Sequence, residues 1–298
     1  MDRLPSWSPP ADSGVNIRFV ETKGLTFELA EAGEGDHLAL CLHGFPELHF
    51  SWRHQISLLV EKGYRVWAPN MRGYGGTDRP ESVREYALDH LVQDVADLID
   101  ASGAKKVTLI AHDWGAIIAW LFAITKKRDL ERLIIMNVPH PKPARRELRK
   151  WRQLRKSWYI FFFQLPFLPE MMLKGRGENG AGGIIARTSC DPSRFGRQEQ
   201  LLYSDAAMRE GARTAMVNYY RALLRHGNTI NAGDFRVDAP TLIVWGEDDV
   251  AIDIHCLDGT EKWVDDLTVK RLPGVSHWVQ QEAPEKVNAI LEGWLPRV

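Results

Sequence analysis

An aspartate stands at the centre of Ala111-His112-Asp113-Trp114-Gly115, which ends a β-branched run and precedes a run with helical character. A nucleophile elbow is a sharp strand-to-helix turn that exposes a reactive side chain. It needs small residues two positions before and two positions after that side chain. Ala111 and Gly115 meet this need. We therefore predict that Asp113 is a nucleophile; the alternative is an aspartate that only caps the helix beginning at Trp114.

A carboxylate at an elbow restricts the possible chemistry. Its ordinary pKa is about 4, so Asp113 is ionised near neutral pH without help from a base. Attack on an acyl carbon would give an anhydride, whereas attack on a saturated carbon with a leaving group gives an ester that water can cleave. Asp113 therefore indicates covalent cleavage of a carbon–oxygen or carbon–halogen bond.

Two later segments supply the partners that such a nucleophile needs. Residues 244–249 form a strand-like run that ends in an acidic turn, and residues 274–278 follow the next strand. Nucleophile, acid and histidine is the chain order of α/β-hydrolases. We predict that His277 deprotonates water while Asp249 orients its imidazole and stabilises the charged form. Asp248 is the alternative acid.

The loop at residues 43–47 follows an early strand and is expected to carry an oxyanion hole. In α/β-hydrolases this hole combines a backbone N–H of this loop with the N–H of the residue after the nucleophile. Phe45 and Trp114 are the corresponding residues here. Each such donor typically contributes ~10²–10³ in rate, because it stabilises the negative charge that develops on the tetrahedral intermediate.

The spacing of apolar residues predicts the elements that position these groups. Buried strands are predicted at residues 38–42, 65–68, 106–111, 133–136, 241–245 and 268–272, and helices at 52–60, 88–99, 116–123 and 284–294. This alternation predicts an α/β fold whose mostly parallel sheet has helices on both faces. Between them, residues 141–232 contain helical segments and no clear strand. We therefore predict an α/β core, residues 1–140 and 233–298, with an inserted helical cap at 141–232.

Composition and charge exclude several classes of function. The chain has 298 residues, of which 44% are hydrophobic and 26% charged, and these values predict a globular core. A formal net charge of −1 gives no reason to expect a nucleic-acid partner. The three cysteines cannot all pair and fit no metal site. Without an apolar signal segment or a run long enough to span a bilayer, a cytoplasmic protein is expected.

Two segments of the predicted cap have patterns that suggest other functions. Residues 142–156 contain eight basic residues and one acidic residue, with apolar residues at helical spacing among them. A membrane-surface helix has this pattern, and so does the solvated face of a cap helix, which is our preferred interpretation. Residues 175–180 match the dinucleotide pattern G-x-G-x-x-G, but no strand precedes them. We therefore predict a cap loop there.

Taken together, the motifs resemble those of the soluble epoxide hydrolases of the α/β-hydrolase superfamily over nearly the whole chain. The resemblance rests on His43-Gly44-Phe45-Pro46-Glu47, Arg72-Gly73-Tyr74-Gly75, Ala111-His112-Asp113-Trp114-Gly115, Gly246-Glu247-Asp248-Asp249 and His277-Trp278. It implies that Asp113 is the nucleophile, that Asp249 is the acid, and that the Phe45–Pro46 bond is cis. Asn70 stands where many relatives have an aspartate, and we expect only a local structural effect.

The leaving group separates epoxide hydrolases from the haloalkane and haloacid dehalogenases, which share this triad. Opening an epoxide produces an alkoxide that needs a proton donor, whereas a halide needs only fixed N–H donors. Epoxide hydrolases use two cap tyrosines, whose phenols stay protonated near neutral pH. Residues 157–164 and 218–221 resemble the two segments that carry them. The resemblance therefore implies Tyr159 and Tyr220, with Tyr219 as the alternative to the second.

The resemblance implies conversion of a small apolar epoxide to a vicinal diol without a metal or cofactor. A dehalogenase remains an alternative, because Trp114 is shared with haloalkane dehalogenases. Phe45, however, stands where those enzymes usually have Asn or Glu. The second alternative is a non-catalytic binding protein of the same fold, although such proteins typically lose a triad member. We further predict that the substrate pocket is lined by His43, Pro46, Trp52, Trp158, Phe162 and Trp278.

Overall fold

A mostly parallel sheet forms the centre of the computed structural model, which describes residues 4–227 and 230–298. Its strands are β1 Asn16–Glu21, β2 Thr26–Ala32, β3 His37–Leu42, β4 Arg65–Pro69, β5 Lys106–His112, β6 Arg132–Met136, β7 Thr241–Gly246 and β8 Leu267–Leu272. They lie in the order β1-β2-β4-β3-β5-β6-β7-β8. Strands β3 to β8 pair in parallel, and β2 pairs antiparallel with both β1 and β4.

Helices follow most strands and fill the long connection between β6 and β7. They are α1 Ile56–Glu61, α2 Leu88–Ser102, α3 Asp113–Ile124, α4 Pro141–Glu147, α5 Trp151–Lys156, α6 Trp158–Phe162, α7 Leu168–Met172, α8 Ala181–Thr188, α9 Arg197–Ala207, α10 Ala212–Arg225, α11 Val279–Glu282 and α12 Pro284–Trp294. Seven of them, α4 to α10, lie between β6 and β7. Within the described ranges, no helix is long and apolar enough to cross a membrane.

Helices cover both faces of the sheet. On one face, α2 and α3 pack against Leu40 and Leu109, and on the other, α1 and α12 pack against Ala39 and Ile110. Burying such an aliphatic side chain contributes about 1.5–3 kcal/mol. Because both faces are covered, the parallel strands read as continuous apolar runs, which is how the sequence located them. The arrangement confirms the predicted fold class, while the division into core and cap stays a prediction.

The hairpin of β1 and β2, which extends the sheet at one edge, was not predicted from the sequence. Its second strand contains Glu28, a fully buried carboxylate that accepts a hydrogen bond from Asn70 Nδ2 at 2.7 Å. Burial alone raises the pKa of Glu28, but His49 and nearby backbone N–H groups outweigh it and lower the pKa to about 2. A strand that buries an ionised side chain cannot be recognised from apolar spacing. Asn70 itself has a structural role, because its Oδ1 also accepts from His49 N at 2.8 Å.

Candidate active site

Asp113 lies at the turn between β5 and α3 with φ of 47°, a left-handed backbone conformation that is uncommon for a non-glycine residue. Close packing of the chain explains why the flanking positions must be small. A Cβ on Gly115 would clash with the carbonyl oxygen of Leu42, and a Cβ on Gly44 would clash with the side chain of Asp113. The strained turn is therefore held in place by the strands around it, and the carboxylate projects beyond the sheet.

The structure brings Asp113, Asp249 and His277 together at the carboxyl ends of parallel strands. His277 Nδ1 lies 2.6 Å from Asp249 Oδ2, and His277 Nε2 lies 3.4 Å from Asp113 Oδ2. Asp248 is exposed, and its carboxylate instead accepts a hydrogen bond from Gly274 N at 2.8 Å. The geometry thus favours Asp249 over Asp248 as the partner of the imidazole.

Hydrogen bonds hold the Asp249 carboxylate in a fixed orientation. Its Oδ1 accepts from Ala251 N at 2.7 Å and from Ile252 N at 2.9 Å, and its Oδ2 accepts from Asn137 Nδ2 at 2.9 Å. Sequence reasoning missed Asn137, although a polar residue directly after a buried parallel strand was an available signal. Asn137 uses one lone pair of Oδ2 and leaves the other for His277, so the imidazole has one well-defined partner.

Opposite charges set the protonation states of the buried triad. Burial lowers the pKa of His277, but the carboxylates of Asp249 and Asp113 outweigh it and raise that pKa well above its ordinary value. Burial raises the pKa of Asp113, but His277, followed by His112 and the Phe45 N–H, lowers it. These opposite shifts favour an ionised Asp113 beside a protonated His277.

The predicted oxyanion donors lie on either side of Asp113. Phe45 N donates to Asp113 Oδ1 at 2.6 Å, and the Phe45–Pro46 bond is cis. Trp114 belongs to the first turn of α3, where backbone N–H groups have no acceptor within the helix. A negatively charged oxygen on the Asp113 carbonyl carbon would meet donors from both the loop and the helix.

Tyr159 on α6 and Tyr220 on α10 face the same cavity as Asp113, and their ring centroids are 5.9 Å apart. Burial, followed by the charge of Asp113, raises the pKa of each phenol, so both hydroxyls stay protonated. Tyr219 points elsewhere, because its hydroxyl donates to Arg72 O at 2.8 Å. The structure thus brings Tyr159 and Tyr220 to the cavity beside Asp113 and keeps Tyr219 away.

A cavity of about 270 Å³ adjoins Asp113 and is lined mostly by apolar side chains. Its lining residues are Phe45, Pro46, Asp113, Lys156, Trp158, Tyr159, Phe162, Phe163, Met172, Ile184, Thr188, Tyr220, Val250, Ala251, His277 and Trp278. Four of the six residues predicted to line the pocket are among them. His43 and Trp52 are not.

The prediction that His43 and Trp52 line the pocket was wrong, because both side chains point into packed interior. The His43 ring accepts from Met71 N at 3.0 Å and donates to Gly44 O at 2.8 Å. Burial lowers the pKa of His43 to about 4, so it is neutral. Trp52 is fully buried and packs with Ile56 on the opposite face of the sheet. Aromatic content alone did not reveal these directions.

Glu47 was missed as a positioning residue, although it lies in the oxyanion loop. Its fully buried carboxylate accepts from Gly44 N at 2.8 Å, from His112 Nδ1 at 2.7 Å, and from the amides of Gln280 and Gln281 at 2.9 and 2.7 Å. The other ring nitrogen of His112, Nε2, lies 2.9 Å from the backbone carbonyl oxygen of His277. His112 therefore bridges the Glu47 carboxylate and the backbone of His277.

Glu47→Ala is expected to destabilise the protein by about 3–5 kcal/mol, because it leaves the buried donors of His112, Gly44 and two glutamine side chains without an acceptor. Urea unfolding followed by circular dichroism measures the change in the free energy of unfolding. The exposed Glu261→Ala serves as a matched control and should change it by less than about 0.5 kcal/mol. A Glu47 variant as stable as this control would contradict the stabilising role of these hydrogen bonds.

The comparisons with known proteins agree with this geometry. The family model described as the alpha/beta hydrolase fold matches residues 40–284. "Epoxide hydrolase 2" of Caenorhabditis elegans is 35% identical over 94% of this chain and 80% of its own length. The chain belongs to the epoxide hydrolase family of α/β-hydrolases. "AB hydrolase superfamily protein YfhM" of Bacillus subtilis (strain 168) is 36% identical over 95% of this chain and 98% of that protein.

The fold of this member of the epoxide hydrolase family is also similar to that of a solved epoxide hydrolase structure. The crystal structure of Bacillus megaterium epoxide hydrolase in complex with an inhibitor superposes with a TM-score of 0.83. The two chains are 29% identical, and the match covers 93% of this chain and 99% of that chain. These findings confirm the family that the motifs of the sequence indicated.

Proposed function

We propose that the protein opens a small apolar epoxide and releases a vicinal diol. The observation that carries this proposal is a single apolar cavity that holds an ionised aspartate and two protonated tyrosines. Tyr159 and Tyr220 donate hydrogen bonds to the epoxide oxygen. Asp113 attacks a ring carbon; its oxygen forms an ester bond while the ring carbon–oxygen bond breaks. The alkoxide takes a proton from one of the tyrosines.

Ester formation prepares the site for the second step. The ester has no negative charge, so the contribution of Asp113 to the raised pKa of His277 is lost. His277 then gives up its proton, which returns to the tyrosine. The neutral imidazole, held by Asp249, takes a proton from water as the water oxygen attacks the ester carbonyl. The tetrahedral intermediate then collapses: the bond between the Asp113 carbonyl carbon and the ester oxygen breaks, and the departing alkoxide takes the proton of the hydroxyl that water added. The diol is released, and Asp113 is again ionised beside protonated His277.

The proposed mechanism assigns different roles to the core and to the predicted cap. We infer that residues 141–232 are a cap that supplies both tyrosines, while residues 1–140 and 233–298 supply the nucleophile, the acid and the histidine. The division is supported by the seven consecutive helices α4 to α10, between β6 and β7. Lys156 on α5 donates to Asp249 O at 2.6 Å, so the cap also contacts the loop that carries the acid.

Product analysis of the wild-type protein tests the reaction. The protein is incubated with aryl and alkyl epoxides and, in parallel, with chloroalkanes of matched carbon skeleton. Diol and halide are both quantified. We expect diol from at least one epoxide and no halide release above the protein-free rate. Halide release faster than any diol formation would establish a dehalogenase, and binding of both substrate classes without turnover would establish a binding protein.

Tyr220→Phe is expected to lower kcat for epoxide opening by about 10²-fold, the lower end of the range for a general acid, because Tyr159 still donates one hydrogen bond. Tyr219→Phe is the matched control: it removes a phenol from the adjacent position, but that hydroxyl is bonded to Arg72 O. Steady-state kinetics with one epoxide measures both variants. Equal losses in the two variants would contradict the assignment of Tyr220.

A further inference from the structure

Apolar side chains form an exposed stripe along α5 and α6. The two helices run almost continuously, because Ser157 N donates to Gln153 O at 3.0 Å across their junction. Trp151, Trp158 and Phe161 recur at helical spacing along one side and are 74%, 60% and 58% exposed. The solvated face of a cap helix would be polar here. The stripe therefore requires an explanation that the cap fold alone does not supply.

This stripe belongs to a larger apolar region. Within the described residues, sixteen large hydrophobic side chains are exposed, and ten of them lie between positions 148 and 172. Single exposed hydrophobic residues are ordinary on protein surfaces, but a cluster of this kind marks a surface that contacts another apolar phase. Phe167, before α7, is the most exposed of the ten at 77%.

Basic residues are concentrated in the segment that carries the apolar stripe, although Arg152 is paired with Asp253 at 3.1 Å. Residues 142–156 contain eight basic residues and one acidic residue, although the whole chain has a formal net charge of −1. Glu147, the acidic residue, is buried and paired with Arg146 and Lys150. Arg149 and Arg155 are exposed beside the stripe. A surface that combines exposed aromatic side chains with excess positive charge matches the headgroup region of an anionic bilayer.

We propose that helices α5 and α6, with the segment leading into α7, dock on the surface of an anionic lipid bilayer. A second copy of this chain fits less well, because a two-fold contact through the stripe would bring two basic segments together. The charge complementarity selects the bilayer, and the aromatic side chains would enter its headgroup boundary.

The docking surface also contains the entrance of the catalytic cavity. Trp158 and Met172 are exposed and line that cavity, and Lys156 lines it beside them. An apolar epoxide dissolved in the bilayer would therefore enter the cavity without crossing bulk water. This consequence rests on the proposed function, whereas the docking itself does not.

Vesicle cosedimentation tests the docking independently of activity. Vesicles of phosphatidylcholine alone are compared with vesicles that contain one quarter phosphatidylglycerol, at low and at high salt. We expect the wild type to bind the anionic vesicles about tenfold or more tightly than the neutral ones, and to lose this preference at 1 M salt. Equal binding to both kinds of vesicle, or binding to neither, would overturn the proposal.

Matched variants locate the surface. Arg149→Glu/Arg155→Glu should weaken binding to the anionic vesicles by about tenfold or more. Lys23→Glu/Lys286→Glu changes the net charge equally at exposed positions elsewhere and should bind like the wild type. Equal losses in both double variants would mean that only net charge matters and would overturn the proposal.

The apolar side of the surface needs its own variant. Phe161→Glu should weaken vesicle binding, whereas Val269→Glu, at an exposed position on β8, should not. Both should keep wild-type turnover of a water-soluble epoxide, since neither residue lines the cavity. Analytical ultracentrifugation tests the alternative of a second copy. If the wild type is a dimer that does not bind vesicles and Phe161→Glu is a monomer, a second copy covers this face and the proposal fails. If the wild type binds anionic vesicles as expected but forms no diol from any epoxide, only the proposed function is contradicted.

Discussion

The His277→Gln variant is expected to stop after the first half-reaction and to accumulate an ester on Asp113. Ring opening uses the carboxylate and the tyrosines, and glutamine leaves these in place. Ester cleavage needs a base for water, and glutamine cannot accept a proton at neutral pH. Turnover should fall on the order of 10⁴–10⁶-fold, the range for removing a group of a catalytic triad. Intact-mass spectrometry after addition of an epoxide should show the protein plus one substrate mass.

Two controls make this result specific. His255→Gln changes an exposed histidine and should show neither the mass increase nor the loss of turnover. The double variant Asp113→Asn/His277→Gln should lose the adduct, because no carboxylate is left to alkylate. If the single His277 variant stays unmodified with a substrate that the wild type converts, the covalent route is wrong.

Asp113→Asn is expected to abolish diol formation, with a loss on the order of 10⁴-fold or more. The amide is isosteric with the carboxylate but uncharged, so it is a much weaker nucleophile. Asparagine also tolerates the left-handed backbone at this position, where φ is 47°, better than most residues. The substitution adds no backbone strain, so any loss of stability should come from the lost attraction between Asp113 and His277, which outweighs the desolvation of the carboxylate in the folded protein.

The same variant has a second, independent readout. In the wild type, Asp249 and Asp113 together raise the pKa of His277. Removing the charge of Asp113 removes one of these contributions, so the pKa of His277 should fall. The imidazole signals in a pH titration followed by NMR measure this change. A His277 pKa unchanged by Asp113→Asn, or retained diol formation, would mean that Asp113 does not occupy the position proposed for it.

The parts of the fold that could be predicted are those with a pattern along the chain. Strands β3 to β7 are almost entirely buried and appear as apolar runs, so their positions along the chain and the loops at their ends followed from the sequence. Asp113 and His277 lie in such loops. The hairpin of β1 and β2 lacks the pattern, because Glu28 occupies a buried position that is compensated by residues far along the chain.

The parts that could not be predicted depend on the direction of a side chain. Trp52 and Trp158 are both aromatic residues near predicted site segments, yet one packs beneath the sheet and the other lines the cavity. Glu47 and Asn137 matter only through hydrogen bonds to groups that are distant in sequence. The spacing of residues says which groups reach the same edge of a sheet, but it does not say which of them meet.

The positions of the tyrosines and of the triad divide the two half-reactions between different parts of the chain. Tyr159 and Tyr220 lie on helices between β6 and β7, whereas Asp113, Asp249 and His277 follow strands of the sheet. In the proposed mechanism, ring opening needs both sets, whereas the attack of water on the ester needs only the second, once His277 has returned its proton to the tyrosine. Substitutions of other cavity-lining residues on α4 to α10, apart from the tyrosines and Lys156, should therefore alter which epoxide and which enantiomer is opened, while leaving the lifetime of the ester unchanged. Substrate preference and intermediate breakdown become separately adjustable traits, open to independent change in evolution or by design.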